Sequence, residues 1–126
     1  MLLRVGPLPD NPLAAAAAFH AEVLPRVLAL LDAPPAGEGG YPQDGGGGVH
    51  LTLVFAAAGH LHRAWREAAI QTIARECAPA RINAVASAEE PAIAAAAAYI
   101  AAAPGLTGQY FPLDSHGAGA VINSAG

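Results

Sequence analysis

The chain contains no lysine; its six basic residues are all arginines. Tyr41, Tyr99 and Tyr110 therefore have no ammonium group to lower a phenol's pKa and make it a proton donor near neutral pH. Charge of either sign is scarce, at 13% of residues, against about a quarter in an ordinary soluble domain. So little charge coats a monomer poorly, and some apolar surface is expected to lie under another subunit. With a net charge of -4 and dispersed arginines, the chain has no basic stripe for nucleic acid. Cys77 stands alone, which excludes an internal disulfide and leaves a buried structural thiol as its expected role. A long hydrophobic run is also missing: Pro91 to Pro104 is too short and too rich in alanine to span a bilayer. Met1–Arg4 gives way at once to Gly6, Pro7 and Pro9, unlike a signal peptide. The expected location is the cytoplasm, with no membrane partner.

What is present is an alternation of strand and helix patterns within 126 residues, enough for one domain with a core. Leu2–Val5 reads as a short strand. Asp10 or Asn11 is placed to cap a helix with Pro12 in its first turn. Leu13, Ala17, His20, Leu24, Val27, Leu28 and Leu31 recur at helical spacing, and Pro25 is expected to kink or end that helix. Residues 33–48, with Gly45–Gly48, read as a long flexible Pro/Gly loop. Val49–Phe55 is apolar on both parities, as in a strand covered on both faces. A helix over 60–78 places Leu61, Ala64, Trp65, Ala68, Ala69, Ile73 and Cys77 on its apolar side. Its polar side holds Arg63, Arg66, Glu67, Arg75 and Glu76. Arg81–Ala86 is a second buried strand. Ser87 with Glu90 suggests a capping box for a helix over 89–103, and residues 109–113 form a last strand. The order implies a parallel sheet with right-handed crossovers.

Several landmarks then fall in a familiar order: Arg63–Ile70, Arg81-Ile-Asn83-Ala-Val-Ala86, Leu106-Thr107-Gly108-Gln109 and Leu113-Asp114. Over residues 49–117 this resembles the C-terminal half of the short-chain dehydrogenase/reductase (SDR) family, in particular its 3-oxoacyl-ACP reductase-like members. The resemblance implies a truncated Rossmann-like three-layer α/β sandwich. It would have about four parallel strands, equivalent to the family's strands 4-5-6-7, with helices 13–31 and 60–78 on one face and helix 89–103 on the other. The N-terminal dinucleotide-binding half is expected to be missing. Family members commonly pair through the helices matching 13–31 and 60–78, and through the last helix and strand. The implied interface residues are Leu24, Leu28, Leu61, Trp65, Ile73 and Tyr110.

The same alignment removes the chemistry. The family's Tyr-x-x-x-Lys positions hold Arg63 and Glu67, and its strand-end Ser falls near Ala56 or Ala57. A guanidinium does not give up its proton, and Glu67 carries the charge opposite to lysine's. Arg63 and Glu67 are spaced for an ion pair along one helix face. Gly37–Gly48 precedes a strand instead of joining a strand to a helix, so it lacks the context of a dinucleotide-binding turn. No cofactor is expected.

Three functional readings stay open. The first is a non-catalytic subunit acting through a homodimer, a higher oligomer, or association with a full-length SDR. The second is an NAD(P)-dependent carbonyl or 3-oxoacyl reductase completed by another polypeptide. The third is a small metal-dependent hydrolase using histidines. His60 and His62 are two apart at a helix start, which does not share a helix face, and His20, His50 and His116 are scattered, so solvated or capping roles are expected. Asp114-Ser115-His116 has triad residue types, but adjacent side chains point apart, and a turn is the simpler reading.

Overall fold

A computed structural model describes residues 1–32 and 49–113. The loop expected at 33–48, Tyr41 and the tail from Asp114 onward, including His116, lie outside the described residues. Four strands, β1 (Leu2–Arg4), β2 (His50–Phe55), β3 (Arg81–Ala86) and β4 (Tyr110–Pro112), form one sheet in the order β1-β2-β3-β4. Every pairing is parallel, with Leu3 opposite Leu53, Thr52 opposite Asn83 and Ala84 opposite Tyr110.

The two parities of β2 and β3 feed two cores. Leu51, Leu53, Phe55, Ile82, Ala84 and Ala86 face one way, joined by Leu3 and Val5. Phe19, Val23 and Val27 cover them from the first helical stretch, and Ala69, Ile70, Ile73 and Ala74 from α3 (Arg63–Glu76). Val54 and Val85 face the other way, under Ile93 and Ile100 of α4 (Glu90–Ala101). Leu51, Leu53, Ile70 and Ile82 are wholly buried, each contributing roughly 2–3 kcal/mol by removal from water. This is the expected three-layer arrangement.

That arrangement conflicts with the expectation that all crossovers share one hand. The chain moves across the sheet in one direction throughout. Its first two crossovers lie on one face and α4 lies on the other. The third crossover therefore has the opposite hand from the first two, against the strong general preference. The apolar residues that bury α4, Ile93 and Ile100, have their partners on the Val54 and Val85 side, and this packing fixes the face.

The first helical path differs from expectation at Pro25. Asn11 caps α1 (Pro12–Ala18), its side-chain oxygen accepting from the Ala14 amide at 3.0 Å. A π-turn follows over Phe19–Val23, with the Leu24 amide bonded to the Phe19 carbonyl, and α2 (Leu24–Asp32) continues from it. The widened turn just before Pro25 accommodates a residue without an N–H, so the path runs on instead of breaking. Pro12–Asp32 spans 21 residues and is long and apolar enough to cross a membrane by length and composition. Its inner stripe is nevertheless packed on the sheet, while Leu13 and Leu28 point outward at 81% and 44% exposure.

Two helix ends also move. α3 stops at Glu76, with Cys77 as its C-cap, short of the expected residue 78. Ser87 does not cap α4: its hydroxyl accepts from the Glu89 amide two residues on, at 2.9 Å, and Glu89 is the N-cap. The Glu90 carboxylate turns away to grip Arg4 with two bonds of 2.8 and 2.9 Å, so no capping box forms.

Candidate functional site

β2 ends at Phe55, and the chain leaves the sheet through Ala56–Gly59, exposed along its length. A 3-10 turn, His60–His62, then feeds α3. Ala56 and Ala57 thus stand at the strand end and offer only methyl groups. Arg63 and Glu67 lie one helical turn apart, with Arg63 Nε donating to Glu67 Oε2 at 3.3 Å on the solvent side. These two side chains engage each other, as their spacing predicts, and contribute a few tenths of a kcal/mol.

Arg66 departs from expectation. Its charge predicts the polar side of the helix, yet it is 4% exposed. Its Nη1 donates to the Ala56 carbonyl and to the Tyr110 hydroxyl, each at 3.0 Å. The guanidinium carbon lies 4.5 Å from the Phe55 ring centroid, a cation–π contact. Nε is buried without a partner. The missed signal is periodic: Arg66 precedes Ala69, Ile70 and Ile73 at helical spacing, so it belongs to the inward stripe despite its charge.

An aromatic cluster surrounds this arginine. Phe19 stacks on Phe55 at 5.6 Å, and Trp65 meets both rings at 5.5 and 5.9 Å. Trp65 Nε1 donates to His62 Nδ1 at 3.0 Å, and His62 Nε2 lies 2.9 Å from the Asp10 carbonyl. These partners assign the His62 proton to Nε2 and make the histidine a tie between the start of α1 and the start of α3. Among the described residues no group of three metal-ligating side chains occurs.

The expected interface residues separate. Leu28 and Leu61 are exposed. Leu24, Trp65 and Tyr110 are half-buried against the chain's own core. Ile73 fills that core at 5% exposure.

The other landmarks prove to bind one another. Thr107 Oγ1 accepts from the Ile82 amide at 3.1 Å, and the Gly108 amide donates to the Ile82 carbonyl at 2.7 Å. Wholly buried Asn83 donates to the Leu106 carbonyl at 3.0 Å and accepts from the Gln109 amide at 3.1 Å. Gly108 has φ +76°, a conformation that favours glycine. Arg81, 7% exposed, donates from Nη1 to the carbonyls of Ile100, Ala103 and Leu106, where α4 ends. These residues join β3, the end of α4 and β4; their role is architectural.

Two titrating groups are perturbed. Burial, then the N-terminal ammonium, then Arg81 hold His50 below the ordinary histidine value. Cys77 is half-buried instead of fully buried as expected, and burial, then Glu76 and Asp32, push its thiol up, which favours the protonated form.

A parallel sheet in this strand order, with two helical crossovers on one face and one on the other, defines a Rossmann-like α/β protein. A family model described as short chain dehydrogenase-like protein, SDR-like, matches residues 3–113, and the chain belongs to that family. Searches of the curated proteins and of the solved structures gave no match.

Proposed function

We propose that the chain is a non-catalytic SDR-like subunit that acts by association, with a second copy of itself or with a full-length SDR, in the cytoplasm. The observation that carries this reading is the Arg63–Glu67 ion pair. It occupies the positions where the family's phenol and ammonium would form a proton relay, and neither residue can replace its counterpart. The strand-end methyl groups of Ala56 and Ala57 cannot hydrogen-bond a carbonyl substrate. With no lysine and no glycine-rich turn leaving a described strand, the residues present do not fit a nicotinamide cofactor.

Association is supported by the outer side of the helical layer. Leu13, Leu28 and Leu61 are exposed there, and Ala14, Ala17, Ala21, Ala64 and Ala68 add uncharged surface between them. Sedimentation equilibrium at micromolar concentration tests it: a dimer or larger species is expected, and a stable monomer with no partner from its host contradicts the reading.

The alternative, a carbonyl reductase completed by another polypeptide, draws on a different feature. β1 pairs on one side only among the described residues. Beside it an open groove of 470 Å³ runs between Leu2, His50 and Thr52 on the sheet and Ala97, Ala98 and Ala101 on α4. A further strand could pair at that edge.

A further inference from the structure

We propose that His62 is a pH-operated latch in the helical layer: neutral, it ties the start of α1 to the start of α3, and a proton on Nδ1 swings the ring out and unties them. The latch stands on its own geometry; its effect on assembly rests on the association reading above.

Two hydrogen bonds use both ring nitrogens. Trp65 Nε1 donates to Nδ1 at 3.0 Å, and Nε2 meets the Asp10 carbonyl at 2.9 Å. An indole nitrogen only donates and a carbonyl only accepts, so Nδ1 carries the lone pair and Nε2 the proton. The neutral imidazole alone satisfies both partners. A proton on Nδ1 sets two N–H donors against each other, and one ring must turn away. Trp65 is held between Phe19 and Phe55, at 5.5 and 5.9 Å. The half-buried imidazole is the freer of the two. It cannot turn without leaving the Asp10 carbonyl, so both bonds are lost together. His62 is also the N-cap residue of α3, and the added charge falls at the positive end of that helix.

Each neighbouring segment has its own charged or titratable groups. The turn before α1 supplies Asp10, whose carbonyl the ring binds. The π-turn supplies His20, edge-on to Phe19 at 5.3 Å. From α3 come Arg63, engaged by Glu67, and Arg66, which lies 5.9 Å from the Trp65 ring and is bound to Ala56 and the Tyr110 hydroxyl of β4. His60 shares the 3-10 turn. From β2 the group against Trp65 is Phe55, which carries no charge. No ion pair among the described residues involves His62, so the new donor finds its partner in water.

Leu61, 69% exposed, directly precedes His62, and Leu13, 81% exposed, lies three residues beyond Asp10. The latch thus joins the two segments that carry these leucines. Opening it uncouples them and puts a charge beside apolar surface, so association should weaken on acidification.

Trp65 is the only tryptophan of the chain, so its fluorescence reads the latch. From about pH 8 to about pH 5, where histidine side chains ordinarily gain charge, the wild-type emission maximum should move to longer wavelength in one step, as water replaces the ring. His62→Gln keeps a side-chain acceptor and donor without the charge, and its maximum should stay fixed. The proposal is overturned if the wild-type maximum stays fixed, or if that of His62→Gln moves as far, which would trace the step to His20, His50 or unfolding. Should His62→Gln fail to fold, 15N-resolved NMR of wild type decides: the Trp65 indole N–H and the His62 ring nitrogens should shift with a common midpoint, and separate midpoints overturn the latch. Sedimentation at both pH values reads assembly: the dissociation constant should rise in acid for wild type and not for His62→Gln. An emission step with unchanged assembly would overturn the effect on association. A monomer at both pH values would contradict the association reading, and the emission step would still decide the latch.

Discussion

Arg66 and Arg81 are buried to nearly the same depth, 4% and 7% exposed, and neither has a carboxylate partner among the described residues. Nε of each is also without a partner. Their surroundings differ in sign. Arg81 projects into the carbonyls that end α4, the negative pole of that helix, and Nη1 alone reaches three of them. Arg66 sits in the first turn of α3, the positive pole, with one carbonyl, one phenol and one ring around it. A buried cation is therefore structural when the backbone supplies the opposing charge. Around Arg66 the backbone supplies no such charge, and a ring and two neutral oxygens take its place.

Substitution should separate the two. Arg81→Ala should have the largest effect, a loss of about 3 kcal/mol, because it leaves the end of α4 and the Leu106 turn without their shared donor. Arg66→Met should leave stability in chloride buffer unchanged or raise it by about 1 kcal/mol, since removing an uncompensated buried charge relieves its desolvation. Urea unfolding of both variants measures the contrast. Equal losses would mean that Arg66 is as structural as Arg81.

The smallest expected effect is a pH dependence at His50. His50 is held below its ordinary value by burial first, then by the N-terminal ammonium and Arg81. As pH falls below about 6.5, the unfolded chain takes up the proton before the folded one does. Stability contributed by neutral His50 is thus complete above that pH and is lost on acidification towards the lowered folded value. Melting temperature followed from pH 7 downward should fall more steeply in wild type than in His50→Gln. Identical slopes would remove His50 from the account.

The sheet was legible because β2 and β3 are apolar on both parities, which only a doubly covered strand requires. The division of the helices between the two faces comes from the family resemblance, which puts helices 13–31 and 60–78 on one side and helix 89–103 on the other. Three features were not legible. The π-turn at Phe19–Val23 leaves no mark apart from Pro25, and proline alone reads as a break. The hand of the third crossover depends on which face Ile93 and Ile100 find, a tertiary choice. Arg66 is hidden by residue type: its position belongs to the inward stripe, but a guanidinium by itself predicts surface. The motif residues around Arg81, Asn83, Thr107 and Gln109 were recognisable as landmarks before their purpose was. Their mutual hydrogen bonds now account for them as the joint between β3, α4 and β4.

The positions that build this joint are therefore present, while Arg63 and Glu67, which the family resemblance aligns with its proton relay, engage each other. Calorimetric titration of the purified chain with NADPH tests that claim most directly. The account predicts no heat of binding beyond dilution. A tight, saturable one-to-one isotherm from this chain alone would contradict it.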